Sequence, residues 1–120
     1  MMKALIIDDE PLPAKLLDEL VKKHCFEITS TEVLNSPTKA IERLKEEHFD
    51  VIFLDVEMPK MDAFQFLDTA KLANDTVVIF TTAYSEYAVE AFKANASYYI
   101  LKPIDKDELI TAVRKASVQL

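Results

Sequence analysis

Three short apolar runs, "ALII" (4–7), "VIFL" (51–54) and "VVIF" (77–80), recur along the chain with helix-period segments between them. This alternation constrains the fold more than any other feature. Short β-branched runs without polar alternation fit strands covered on both faces, the environment of a parallel sheet. Two weaker candidates are "FEITSTEV" (26–33) and "SYYIL" (97–101). Polar residues are mixed among Phe26, Ile28 and Thr31, which places that strand nearer a sheet edge. In 12–23, Leu12, Leu16, Leu17, Leu20 and Val21 recur at helical spacing, as do Ala40, Ile41 and Leu44 in 37–48. The same pattern appears with Phe64, Phe66, Leu67 and Ala70 in 63–73, with Ala88, Val89 and Phe92 in 86–94, and with Leu109, Ile110 and Val113 in 106–119. Ser36-Pro37 supplies an N-cap followed by proline at the first helical position. Asp105-Lys106-Asp107-Glu108 opens the last helix in the manner of a capping box. The expected fold is α/β: five strand–helix repeats, (βα)5, in one doubly wound domain over 1–120, with a parallel five-stranded sheet and helices on both faces.

Composition narrows the function. A chain of 120 residues can bury one hydrophobic core unaided. Its 14 basic and 21 acidic side chains give a net charge of −7, which repels phosphate backbones and anionic lipid. Direct nucleic-acid or membrane binding by this domain is therefore not expected. Cys25 is the only cysteine, so no intramolecular disulfide can form, and a reducing cytoplasm is the expected location. The apolar run in "MMKALIIDDE" is too short for that expected of a signal peptide, and no apolar run approaches the ~18 residues of a membrane span. There is no glycine at all. Backbone positions with positive φ should then fall to Asn or Asp, and neither a P-loop nor a dinucleotide fingerprint can be built.

In open α/β sheets, sites form outside the carboxyl ends of the strands. Those ends carry Asp8 and Asp9, Asp55, Thr81 and Thr82, and Lys102. The motifs "LIIDDEP", "VIFLDVEMPKMD", "VIFTTAY" and "YYILKPI" resemble, in order and spacing, the receiver domain of bacterial response regulators. The resemblance spans essentially the whole chain and implies the flavodoxin-like, CheY-like strand order 2-1-3-4-5. The segment "FTTAYSEYAVEAFKANASYYILKPI" is similar to receivers attached to LytTR-type DNA-binding domains.

The resemblance implies that Asp55 accepts a phosphoryl group from a sensor histidine kinase. It implies Mg²⁺ (or Mn²⁺) held by Asp8, Asp9, Asp55 and the backbone carbonyl of Glu57, with Asp9 direct and Asp8 partly through water. Lys102 would contact the phosphoryl oxygens. Thr82 would supply the hydroxyl that moves onto them, since Ala83 follows it as in the family's pattern; Thr81 competes for that role. Tyr99 matches the switch aromatic, and Pro103 a position where a cis peptide is frequent. The output, an effector or a DNA-binding domain, would be reached through the face built from 86–94, the fifth strand and 106–119, with a homodimer possible on phosphorylation. No enzymatic turnover is implied beyond self-phosphorylation and slow autodephosphorylation. Chemistry supports the set independently. A carboxylate attacks a phosphoryl group only when cations neutralise the phosphoryl oxygens. Mg²⁺ needs few carboxylates because it keeps several waters. Two carboxylates ~4 Å apart repel by about 4 kcal/mol at an effective dielectric of 20, so the cluster wants a cation. Two departures from the family, Met61-Asp62-Ala63 and Asn95-Ala96, affect loops and not the chemical residues.

Plainer readings stand beside these. Asp55 alone is a solvated strand end, Asp8 and Asp9 an N-cap region for a helix starting near Pro11, Lys102 a surface cation and Tyr99 a packing residue. Tyr98 should face the other side of the sheet, in the core. Tyr84, Tyr87 and Phe92, interleaved with Glu86, Glu90 and Lys93, make either a packing face or a docking surface. His24 and His48 suit negative helix ends. Among other functions, a stand-alone receiver would act by docking alone. A haloacid-dehalogenase-like phosphohydrolase needs an aspartate where Glu57 stands. A flavodoxin-like carrier needs a flavin-phosphate loop where Asp-Asp-Glu-Pro stands.

Overall fold

A computed structural model describes residues 1–83 and 98–119. Its strands are β1 (Met2–Ile7), β2 (Ile28–Leu34), β3 (Val51–Asp55), β4 (Val77–Thr82) and β5 (Tyr98–Leu101). The described helices are α1 (Pro11–His24), α2 (Pro37–Glu46), α3 (Ala63–Ala70) and α4 (Lys106–Gln119). All strands pair in parallel in the order β2-β1-β3-β4-β5. The expected helix over 86–94, with Tyr84, Tyr87, Phe92 and Asn95-Ala96, lies outside the described residues.

Successive residues of a strand point to opposite faces, and the core divides accordingly. Ile6, Phe53, Ile79 and Ile100 pack against Ala14, Leu17 and Val21 of α1 and Leu109 and Val113 of α4. Leu5, Ile7, Ile52, Leu54 and Phe80 pack against Ala40 and Ile41 of α2 and Phe66 of α3. Each fully buried aliphatic or aromatic side chain contributes roughly 1.5–3 kcal/mol, so the central strands are the most costly part of the chain to damage. The edge position expected for β2 is observed, but the strand begins at Ile28 and leaves Phe26 in the preceding turn, 81% exposed. Tyr98 and Tyr99 pack on opposite faces of the sheet, each partly buried.

Several local expectations are corrected. Helix α1 buries Ala14, Leu17 and Val21, while Leu12 and Leu16 remain 66% and 52% exposed. The apolar stripe is thus wider than the face that meets the sheet. The N-cap of α1 is Glu10, with no side-chain bond, so neither Asp8 nor Asp9 caps it. Ser36 does cap α2, accepting from the Lys39 N–H at 3.3 Å, and Asp105 accepts from the Glu108 N–H ahead of α4 at 3.0 Å. Helix α3 starts on a capping box between Asp62 and Gln65, then stops at Ala70 because Lys71 turns left-handed at φ 51°. Positive φ was expected only at Asn or Asp. At a helix end, the Lys71 N–H bond to the Leu67 carbonyl offsets part of the roughly 1–2 kcal/mol left-handed cost. His48 lies beyond the end of α2 and faces Asp50 and Asp75, at 3.4 and 3.6 Å, so a helix terminus does not account for it.

Candidate functional site

The site follows from register. Ile7 pairs with Leu54, so Asp8, one residue on, stands opposite Asp55 at the carboxyl end of the sheet. Asp55 pairs in turn with Thr81, and Thr82 with Leu101, which delivers Lys102 to the same end. The Lys102 N–H donates to the Thr82 carbonyl at 2.7 Å, extending the β4–β5 ladder by one rung. The Lys102–Pro103 peptide is cis.

Lys102 binds the two buried carboxylates together. Its Nζ donates to Asp8 Oδ2 at 2.9 Å and to Asp55 Oδ1 at 3.3 Å, while both aspartates are only 3% exposed. Burial, and then the nearby Asp8 carboxylate, push Asp55 up to about 6, against the pull of Lys102 and of the Glu57 backbone N–H. Burial alone would lower the Lys102 pKa. Its hydrogen bond to Asp8 and the fields of Asp55 and Asp8 outweigh it and hold the ammonium above its ordinary value. One cation therefore serves two desolvated anions, and Asp55 records the shortfall.

Asp9 completes the imbalance. Its Oδ1 is shielded from solvent and has no hydrogen-bond donor. Oxygens of Asp8, Asp9 and Glu10 lie within 4.8 Å of one another, and Lys102 links Asp55 to Asp8 in that set. Asp9, Glu10 and Glu57 line one hollow of about 480 Å³ beside the loop 56–59. Hard oxygen donors crowded around an orphaned carboxylate oxygen fit a small divalent cation such as Mg²⁺. Thr81 and Thr82 are both buried. Thr81 lines a groove with Asp8 and Lys102, whereas the pleat puts Thr82 on the other face, that of Phe80 and Tyr99.

Two residues at the site were not anticipated. Glu10 is one, although the acidic triplet in "DDEP" could have signalled it. Asn35 is the other: its Nδ2 donates to the Asp8 carbonyl at 2.9 Å across 27 residues of sequence, a contact no local pattern announces.

The response regulator receiver domain model matches residues 4–114. This chain belongs to that family. Among curated relatives, the sensory transduction protein LytT of Enterococcus faecalis is 34% identical over 99% of this chain and 49% of its own length. The transcriptional regulatory protein BtsR of Escherichia coli is 34% identical over 91% of this chain and 45% of its own. The chain thus spans about half the length of the curated relatives it matches. Among solved structures, the response regulatory domain of mrkE from Klebsiella pneumoniae superimposes with a TM-score of 0.78 at 31% identity, covering 98% of this chain and 96% of that one. The fold and strand order expected of a receiver are those observed. As a receiver of two-component response regulators, the chain is a signalling domain. Among its described residues no helix is long and apolar enough to cross a membrane.

Proposed function

We propose that this receiver takes a phosphoryl group on Asp55 and converts it into a change of its distal face. The observation that carries the reading is the Lys102 ammonium, bound to both Asp8 and Asp55 at the carboxyl end of the sheet. Asp55 forms the new P–O bond as the P–N bond of a kinase phosphohistidine breaks, and the imidazole departs with the donor. Lys102 leaves its bridging position to contact the phosphoryl oxygens, exchanging a carboxylate partner for a phosphoryl one. Asp8, Asp9 and the Glu57 carbonyl, with Asp55, would hold Mg²⁺ or Mn²⁺. When bound, the ion neutralises the carboxylates and the arriving phosphoryl oxygens. Thr82 then moves onto the phosphoryl group and Tyr99, on the same face of the sheet, follows it. The free energy for that shift must come from contacts made only in the phosphorylated state, since equal affinity for both states shifts nothing.

A groove of about 680 Å³ fits the docking of the phosphodonor. It runs from Asp8, Thr81 and Lys102 along Leu12, Leu16 and Leu20 of α1 to Pro103 and Ile104. An amphipathic helix of a sensor histidine kinase, laid against exposed Leu12 and Leu16, would carry its histidine to the polar end. The LytT relatives, about twice this chain's length, support a LytTR-type DNA-binding output. The charge of −7 argues that DNA contacts belong to such an output and not to the receiver. A kinase donor and a transcriptional output also support a cytoplasmic location.

The test is phosphorylation by a small-molecule donor with Mg²⁺. Intact mass should rise by one phosphoryl group, and Asp55→Asn should take up none. Uptake that persists in that variant discards Asp55 as the acceptor. Thr82→Ala should leave uptake intact and uncouple it from any change at Tyr99; if Thr81→Ala does so instead, the two hydroxyls exchange roles.

A further inference from the structure

We propose that Asn35 is the positioning residue of the acidic pocket, setting the peptide between Asp8 and Asp9 and through it the cation affinity of Asp9. The inference rests on the metal-binding reading above. In a parallel ladder, a residue that donates to position j−1 of its neighbour accepts from the N–H of position j+1. The Asp8 N–H donates to the Leu34 carbonyl at 3.2 Å, so the Asp8 carbonyl would next take the N–H of residue 36. The chain cannot supply it, because β2 ends at Leu34 and Ser36 turns away to cap α2. The Asn35 side-chain amide takes that place, donating to the Asp8 carbonyl at 2.9 Å. Asp8 is also held at Oδ1 by the Glu10 N–H, at 2.9 Å. Both ends of residue 8 are thereby fixed, and the plane of the peptide that leads into Asp9 is fixed with them.

The consequence falls on Asp9. Its Oδ1 is buried without a donor, so nothing but the backbone before it and the packing around it sets its direction. A ligand aimed in advance loses less freedom when a cation arrives, and removing an outer partner of a metal ligand commonly costs 10–100-fold in affinity. The residue type also fits. An aspartate at position 35 would set its oxygens against a carbonyl and add a charge near Asp8, Asp9 and Glu10, whereas the asparagine amide donates and stays neutral.

Direct titration with Mg²⁺ and Mn²⁺, by calorimetry and by Mn²⁺ paramagnetic resonance, tests this without any phosphoryl donor. Asn35 is exposed, so Asn35→Ala removes no core contact. It should weaken binding about tenfold, the lower end of that range because water can partly replace the amide. The unfolding midpoint of the metal-free protein should hardly move. Asn35→Ser, which keeps a short donor, should recover part of the loss. Phosphoryl uptake in Asn35→Ala should need more Mg²⁺ for half-maximal rate yet reach the wild-type rate at saturation. Asp9→Asn separates the two levels: if it binds the cations as wild type does, the metal reading itself fails. If Asp9→Asn loses them while Asn35→Ala keeps wild-type affinity, only the positioning role is overturned. Equal losses in Asn35→Ala and Asn35→Ser would also overturn it.

Discussion

The two poles of the sheet handle charge in opposite ways. At the amino pole, Arg43 pairs with Glu32 and Glu47, Lys3 also pairs with Glu47, and both cations lie over the Phe49 ring at 5.6 and 5.7 Å. These side chains keep between 29 and 40% of their surface in water, and each anion has its cation. At the carboxyl pole one ammonium serves Asp8 and Asp55 while Asp9 turns an unpartnered oxygen inward. Ion pairs left in water are close to neutral for stability, whereas an excess of desolvated charge of one sign is costly and persists for function. On the proposed function, the carboxyl pole is the one that receives a further charge.

The strongest way to break the comparison is to remove the shared cation. Lys102→Ala leaves two buried carboxylates facing each other, and stripping one partner from a buried pair typically costs about 3–5 kcal/mol. Urea unfolding in the presence of a chelator should show a loss of that order at pH 7. Saturating Mg²⁺ should return much of it, because the ion binds only the folded pocket. A loss that Mg²⁺ does not reduce would mean that Lys102 works mainly by packing its stem.

Asp55 gives the next largest effect, with a sign opposite to that of a carboxylate whose ion pairs lower its pKa. Its folded pKa, raised to about 6, lies above the ordinary value of 3.8. Below pH 4 both states hold the proton and nothing is at stake. Between pH 4 and 6 the unfolded chain has released it while the folded protein keeps it, so stability falls as pH rises. Above 6 the loss is complete, at about 3 kcal/mol or less. Metal-free protein should therefore weaken from pH 4.5 to 7, beyond what its other acids contribute, and Asp55→Asn should flatten that slope and stabilise the fold at pH 7. Denaturation curves of both proteins across this range decide it; parallel slopes would show that Asp55 is ionised throughout.

How much of this was legible in the sequence depended on whether the determinant was local. The three apolar runs identified β1, β3 and β4 because continuous β-branched stretches admit few other environments. The weaker stretches 26–33 and 97–101 marked β2 and β5, and the polar strand ends carry Asp8, Asp9, Asp55, Thr82 and Lys102. Helical periodicity showed where α1 lay but not which leucines it would bury. That choice was made by how α1 packs against the sheet and α4, and it left Leu12 and Leu16 beside the site. The left-handed Lys71 was hidden because composition indicates which residues favour positive φ, not where a helix must stop. Asn35 and the pairing of Lys102 with Asp8 were hidden for a different reason. These contacts join residues 27 and 94 positions apart, and only the register of the paired strands brings them together.

The smallest effect sharpens the comparison most, since it tests the pole where nothing should happen. Glu47→Gln removes the anion that Lys3 and Arg43 share. Both cations keep water, Arg43 keeps Glu32, and the Phe49 ring remains beneath them. Surface pairs of this kind carry little net stability because their attraction is screened and their side chains lose freedom in forming them. The melting temperature should shift by no more than a few degrees, the shift should vanish in 1 M salt, and the cation affinity of the far pole should not change. A large loss that salt leaves intact would mean that the amino pole also holds charge under strain. The contrast would then be one of degree, and the unbalanced charge at Asp55 would lose its value as a marker of function.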